Sequence, residues 1–390
     1  MANSCNVLLV AEGSGGHVIP ALQVAQALAA RGARIKVWYA KRRPIERLMD
    51  ALTQQTLGAS IDVDPMLDAV DTGLVGRLWR CGRLWRQAQR CFDTFAPDVV
   101  VGFGGWVSAP VVLAARLRRV GFGGQAQRRR IKCLLHEQNV LLGKANRWLA
   151  PWVDRVAVSF DETERTLRRV PPHQRRWCGG LHAVTTGLPV RQGIGGVCRD
   201  GAAARFGFSP DRPTLLVLGG SQGARAINRL MIRAIAQCSS QECDAWQIVH
   251  LTGTSDEDAV RQAYADRGVH AWVAPFLIEM EAAYAQADLA IARAGASTIT
   301  ELARCALPAI LIPYPHAGGH QRVNAQLVEA VGGGVMLEES EAAPEPLLRI
   351  VRCLLNDATL RRMMGAQVRT LQHPDASQRL SNAILEMAGS

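Results

Sequence analysis

NVLLVAEGSGGHVIPALQVAQALAARGARIKVWYA, residues 6–40, is the stretch whose reading decides the fold. NVLLVA (6–11) is short, apolar and rich in Val and Leu, the pattern of a buried strand. EGSGGH (12–17) is a glycine-rich loop, and PALQVAQALAARG (20–32) reads as a helix that opens at Pro20 and closes at Gly32. RIKVWYA (34–40) is a second strand. Strand, loop, helix and strand make a βαβ unit, and such units build parallel sheets.

Outward from this unit, DVVVGFGG (98–105), IKCLLHEQ (131–138) and RVAVSF (155–160) add strand-and-loop signals. The pattern restarts after residue 185. TLLVLGGSQGARAINRLM (214–231) repeats strand, glycine loop and helix, and WQIVHLTG (246–253), HAWVAPF (270–276), ADLAIARAG (287–295) and PAILIPYP (308–315) follow as strands. The expectation is an α/β protein of two doubly wound, Rossmann-like domains. Gly and Pro cluster in GLPVRQGIGG (187–196), which marks the seam. The division expected is 1–186, with a final helix of about 374–390 packing back on it, and 187–373. Ligands of such sheets bind at the carboxyl ends of the strands, so a two-domain version places its active site in the cleft between them.

A chain of 390 residues suits two cores, and 48% hydrophobic with 20% charged residues excludes a disordered or fibrous protein. The charge is one-sided. Residues 1–190 hold 27 Lys and Arg against 14 Asp and Glu, whereas residues 191–390 hold 18 against 20. A basic half suggests a polyanionic partner, either nucleic acid or an anionic membrane, or else an Arg-rich solvated surface. The ten cysteines form no C-x-x-C, and the nearest pair, Cys238 and Cys243, has no His or Cys cluster beside it, so neither a zinc site nor a disulfide framework is implied. No signal peptide or membrane span is visible, and the chain reads as cytoplasmic with reduced thiols.

Three glycine loops follow apolar strands: GSGGH (13–17), GFGGWVSAP (102–110) and GGSQGA (219–224). Glycine lets backbone N–H groups approach a ligand, and a helix N-terminus favours an anion. Together they point to a phosphate or sugar-phosphate ligand. A nicotinamide enzyme fits poorly, because Val18 stands where the dinucleotide fingerprint needs its third glycine and the second strand ends in Lys41, Arg42 and Arg43 rather than an acid. No P-loop motif is present.

These loops carry a resemblance. EGSGGHVIPALQVAQAL resembles the N-terminal G-G-T-G-G-H-x-x-P-A-L signature of the MurG family, the N-acetylglucosaminyltransferases that convert lipid I to lipid II in peptidoglycan synthesis. GFGGWVSAP, HEQNVLLGKANRWLA (136–150), GLPVR (187–191), LGGSQGAR (218–225), ARAGASTITELA (292–303) and LPAILIPYPHAGGHQRVNA (307–325) match the rest of the family pattern in order. Departures are Glu12 for a glycine, Trp106 for a tyrosine, Leu188 for an asparagine, Gly318-Gly319 for an often acidic loop, and longer segments at 120–130 and 171–184.

The resemblance implies a GT-B fold and an inverting transfer of GlcNAc from UDP-GlcNAc to the muramyl 4-hydroxyl of lipid I, without a cofactor or a metal. It implies donor contacts from Ser14, Gly15, Gly16, Asn139, Arg191, Ser221, Gln321, the backbone of Leu277, and Ala296, Ser297, Thr298, Ile299, Thr300 and Glu301, the last placed for a ribose diol. Gly104, Gly105, Trp106 and His136 fall on the acceptor side. An ordinary imidazole titrates near pH 6.5, so His17 is a candidate base, or else a phosphate ligand. Glu137 is a second candidate base, or else an acid that orders its own loop. A UDP-sugar 2-epimerase on the same fold and a nucleic-acid-binding protein are the alternatives, though no nucleic-acid motif is present.

GLVGRLWRCGRLWRQAQRCF (73–92) has the period of a helix. Leu74, Leu78, Cys81, Leu84, Trp85, Ala88 and Phe92 share one face, while Arg80, Arg83, Arg86 and Arg90 lie opposite with Trp79 among them. That polar arc fits an anionic membrane surface, with a peripheral location on the cytoplasmic face of the inner membrane. Cell-wall and division proteins are further candidate partners.

Overall fold

The computed structural model describes residues 5–41, 60–66, 74–118, 130–168, 182–220 and 223–389. Ser221, Arg42, Arg43 and most of the two longer segments lie outside them. The chain divides into two compact units, Met1–Val190 with His373–Ser390, and Arg191–Gln372.

The first unit holds a parallel sheet of β1 (Asn6–Ala11), β2 (Arg34–Ala40), β3 (Ile61–Met66), β4 (Val99–Gly102), β5 (Lys132–Glu137), β6 (Arg155–Val158) and β7 (Ala183–Thr185). Their order is β3-β2-β1-β4-β5-β6-β7. Val7, Leu9 and Ala11 pack on one face of the sheet with the helix Gly15–Ala29 and the final helix Ala376–Gly389. Leu8 and Val10 pack on the other face with the helices Leu74–Thr94 and Ser108–Leu117. Both faces are covered, which is why β1 is apolar throughout rather than alternating. Each fully buried Leu of this kind contributes about 1.5–3 kcal/mol.

The second unit repeats the plan with β8 (Thr214–Leu218), β9 (Gln247–Leu251), β10 (His270–Ala274), β11 (Leu289–Ala292), β12 (Ala309–Leu311) and β13 (Gly334–Met336). The order is β10-β9-β8-β11-β12-β13, again all parallel. Leu215 and Val217 bury against the helices Arg225–Ile235, Glu257–Ala265 and Pro344–Asn356. The strand order reverses between β1 and β4 in one sheet and between β8 and β11 in the other. These switch points are where a doubly wound sheet leaves a crevice at its carboxyl edge.

Two local expectations change. The first helix begins at Gly15 and encloses Pro20, which the sequence reading placed at its start. The earlier start follows from the glycine loop itself, since Ser14 is the extended N-cap and its carbonyl accepts from His17 N and Val18 N at 3.0 Å. Strands β3, β7 and β13 also lie outside the strands read from sequence. β3 is an exposed edge carrying Asp62, Asp64 and Pro65, with Lys36 of β2 bridging both carboxylates at 3.2 and 2.9 Å. Charge and proline suit an edge strand and hide it from a search for apolar runs.

Candidate active site

At the carboxyl edge of the first sheet, the β1 loop places Ser14 before the helix Gly15–Ala29 and His17 within its first turn. Ser14 does not cap the helix; its Oγ is hydrogen-bonded to His17 Nδ1. Ring atom Nε2 is turned toward the β4 loop, lying 3.2 Å from where a Cβ on Gly104 would stand. Gly104 and Gly105 have φ of +84° and +78°, so the backbone there demands glycine. Gly105 is required twice over, because its Cβ would fall 2.1 Å from Glu12 Oε2. Glu12, the departure from the family pattern, is therefore accommodated by a bare backbone. Ser108 Oγ donates to Gly104 O at 2.7 Å and fixes the loop from below.

The H-E-Q-N segment divides by burial. Glu137 is 1% exposed, and its carboxylate accepts from Asn139 N at 2.9 Å, Asn139 Nδ2 at 3.2 Å, Gly143 N at 2.8 Å and Asn146 Nδ2 at 2.8 Å. Four donors saturate it. Of the two readings of Glu137, these bonds favour the acid that orders its own loop over the base. His136, expected on the acceptor side, lies in the interior of the unit. It is fully buried, bonded through Nε2 to Gly187 O at 3.1 Å and set against the Phe103 ring at 5.4 Å. Burial drives its pKa down to about 4 against an upward pull from the Gly187 bond, and the nearby His17 adds a smaller downward push. Asn139 is half-buried, and Trp106 stands 71% exposed at the rim of the β4 loop.

At the carboxyl edge of the second sheet, β11 leads through Gly295 into the helix Ala296–Arg304. Ala296, Ile299 and Thr300 are buried, Thr300 Oγ1 bonding back to Ala296 O at 3.0 Å, so these three can meet a ligand only through backbone. Ser297, Thr298 and Glu301 are half-buried. Ser297 Oγ is a buried polar atom with no hydrogen-bond partner among the described residues. Such an orphan costs about 1–3 kcal/mol unless a ligand or water completes it.

Arg191 is anchored alongside: Nη1 donates to Ile278 O, Nε lies 3.5 Å from Glu281 Oε1, and that nitrogen has no hydrogen-bond partner among the described residues. Leu277 is 5% exposed, between the exposed Phe276 and Ile278. Gln321 Oε1 accepts from Tyr314 N at 3.0 Å. The sequence reading missed Tyr284, whose hydroxyl meets Glu301, and Arg293. Arg293 donates to Ile312 O and Pro313 O at 3.1 and 3.2 Å, pairs with Glu339 and lies 5.3 Å over the Tyr314 ring. A buried phenol needs a partner for its hydroxyl, which was the only signal for Tyr284.

The helix Leu74–Thr94 buries Leu84, Ala88, Cys91 and Phe92 and half-buries Cys81 and Trp85. Trp79 is 60% exposed with the Arg83 guanidinium 4.7 Å above its ring; Arg83 and Arg86 are exposed and Arg80 is half-buried. The side chains of Leu74 and Leu78 lie outside the described residues. Among the described residues no helix is long and apolar enough to cross a membrane.

Two parallel sheets with glycine loops at their switch points define an architecture, and the comparisons with known proteins narrow the class. The glycosyltransferase family 28 N-terminal domain matches residues 7–158 and the family 28 C-terminal domain matches residues 214–380. The chain is a glycosyltransferase with a GT-B type fold.

Among its relatives, the UDP-N-acetylglucosamine–N-acetylmuramyl-(pentapeptide) pyrophosphoryl-undecaprenol N-acetylglucosamine transferases of Syntrophotalea carbinolica and Pseudomonas paraeruginosa are 36% and 38% identical to it. Each comparison covers 98% of this chain and 99% of the relative. The crystal structure of Acinetobacter baumannii MurG superposes with a TM-score of 0.71 at 27% identity, covering 98% and 99% of the two chains. The chain belongs to the MurG family of N-acetylglucosaminyltransferases.

Proposed function

We propose that this chain transfers GlcNAc from UDP-GlcNAc to the muramyl 4-hydroxyl of lipid I, giving lipid II. The observation that carries the reading is the Ser14–His17 pair at the first glycine loop, in a chain aligned end to end with transferases of that name. When His17 Nδ1–H donates to Ser14 Oγ, the lone pair rests on Nε2 and faces the Gly104 loop. The acceptor hydroxyl then loses its proton to Nε2 as its oxygen bonds the anomeric carbon, and the bond from that carbon to the diphosphate oxygen breaks. Attack opposite the leaving group inverts the centre. The charge that develops on UDP is met by Arg191 and by the N–H groups of the first turn at Ala296–Thr298.

Glu301 takes the ribose hydroxyls, with Ser297 Oγ within the same turn of helix. Ser221, Gln321 and the Leu277 backbone complete the donor contacts. The exposed Trp79 and Arg83, with Arg86, support docking on the anionic cytoplasmic face of the inner membrane, where a polyprenyl-linked acceptor resides. The test is incubation of the purified chain with labelled UDP-GlcNAc and lipid I. Label in a lipid-linked disaccharide is the expected result. Label recovered only in an isomerised UDP-sugar would replace the reading with a 2-epimerase.

A further inference from the structure

Tyr284 lies on the helix Met280–Gln286 and is 2% exposed. Its hydroxyl donates to Glu301 Oε2 at 2.7 Å. Among the described residues nothing hydrogen-bonds Glu301 Oε1, and Glu301 keeps part of its surface open to solvent. A carboxylate on a flexible stem samples several rotamers, and ordering such a side chain costs on the order of 1–2 kcal/mol at the moment of binding. A phenol fixed in the core can meet that cost beforehand, during folding.

We infer that Tyr284 is a positioning residue for nucleotide recognition. It locks one oxygen of Glu301 so that the other stands ready to accept a ribose hydroxyl of UDP. The inference rests on the reading of Glu301 as the ribose contact. The groups that face the carboxyl are Tyr284 and Glu281 from the helix Met280–Gln286, Arg191 from the start of the unit, and Cys305 at the end of its own helix. Burial raises the Glu301 pKa above the usual carboxylate range, the Tyr284 bond and Arg191 pull it back, and Glu281 adds a smaller upward push. Loss of the phenol hydroxyl therefore favours the protonated carboxyl, which has surrendered acceptor capacity.

The experiment is calorimetric titration of the full chain with UDP between about pH 5 and pH 8, on wild type, Tyr284→Phe, Glu301→Gln and the double variant. Glu301→Gln removes the titrating carboxyl and so isolates its acid limb from the titration of UDP's own phosphate. Tyr284→Phe is expected to bind UDP about three- to tenfold more weakly, with the acid limb moved to higher pH, and to add no further loss in the Glu301→Gln background. Should Tyr284→Phe fold poorly by thermal melting, Glu301→Asp withdraws the carboxyl from the phenol and is expected to show the same weakening.

Wild-type affinity and an unmoved limb in Tyr284→Phe, with Glu301→Gln weakened, overturn the positioning role while the Glu301 reading stands. Weakening that persists equally in the double variant overturns it as well. Wild-type affinity in Glu301→Gln overturns the Glu301 reading itself.

Discussion

The two sheets run in the same order around their switch points, yet the side chains at their carboxyl edges differ in kind. At the β1, β4 and β5 ends most polar groups satisfy one another, His17 with Ser14, Ser108 with Gly104 and Glu137 with four donors, and Asn146 Oδ1 alone in this set lacks a partner among the described residues. At the β11 end they are incomplete, with Ser297 Oγ and Arg191 Nε lacking hydrogen-bond partners among the described residues and one Glu301 oxygen unengaged. Hydrogen bonding of this kind holds the single imidazole of His17 in one orientation and suits proton transfer. An open network leaves hydrogen-bonding capacity for a ligand to complete and suits binding. On the proposed function, one topology supplies a reactive edge and a recognising edge, and the division follows from which side chains follow the strands.

The comparison breaks most sharply at His17. His17→Ala is expected to lower kcat about a hundredfold or more while UDP affinity by calorimetry changes little. Near-normal kcat with a large loss of donor affinity would move His17 to the recognising class. Glu137→Ala should leave the four backbone and amide donor groups of its loop without that acceptor and cost about 2–3 kcal/mol of stability. Its urea midpoint measures this, and a midpoint equal to wild type would show that the first edge is not held by that carboxylate.

Glu301→Ala should weaken UDP binding by about 1–3 kcal/mol with the thermal melt preserved. Unchanged affinity would remove the recognising edge's main residue.

Each unit also buries a neutral histidine. His136 is held down to about pKa 4 and His250 to about 3, the latter between Tyr264 at 2.8 Å and Asn228 at 3.0 Å. Below the unfolded value near 6.5 the unfolded chain takes protons that the folded chain refuses, so stability falls as pH falls toward these folded values. The loss is up to about 1.4 kcal/mol per pH unit for each histidine. Urea midpoints at about pH 7 and pH 5 check it, and equal midpoints would contradict neutral burial.

The smallest effect sits on the helix Leu74–Thr94. Trp79→Ala with Arg83→Glu and Arg86→Glu should reduce binding to anionic vesicles, each lost arginine weakening it by about 1 kcal/mol and more at low salt. Turnover of a soluble acceptor analogue should stay normal. Equal vesicle binding by variant and wild type would leave that surface merely solvated.

The sequence by itself determined the parallel α/β class and most interior strands, because a strand covered on both faces must be apolar along its length. NVLLVA and TLLVL could hardly be anything else. It also located the glycine loops, since a backbone that turns at positive φ beside a ligand writes itself as Gly, as Gly104 and Gly105 do. What it could not decide was which polar residue meets which. Glu137 and Glu301 are both acids at or beyond a strand end in a glycine-bearing stretch, and only the tertiary structure surrounds one with four donors and leaves the other half-committed to Tyr284, seventeen residues earlier in the chain. Nor could the sequence show that packing sets Phe103 and the Gly187 carbonyl around His136. Burial and hydrogen-bond partnership arise from segments brought together across the sheet, and those long-range contacts leave no periodic trace in the chain.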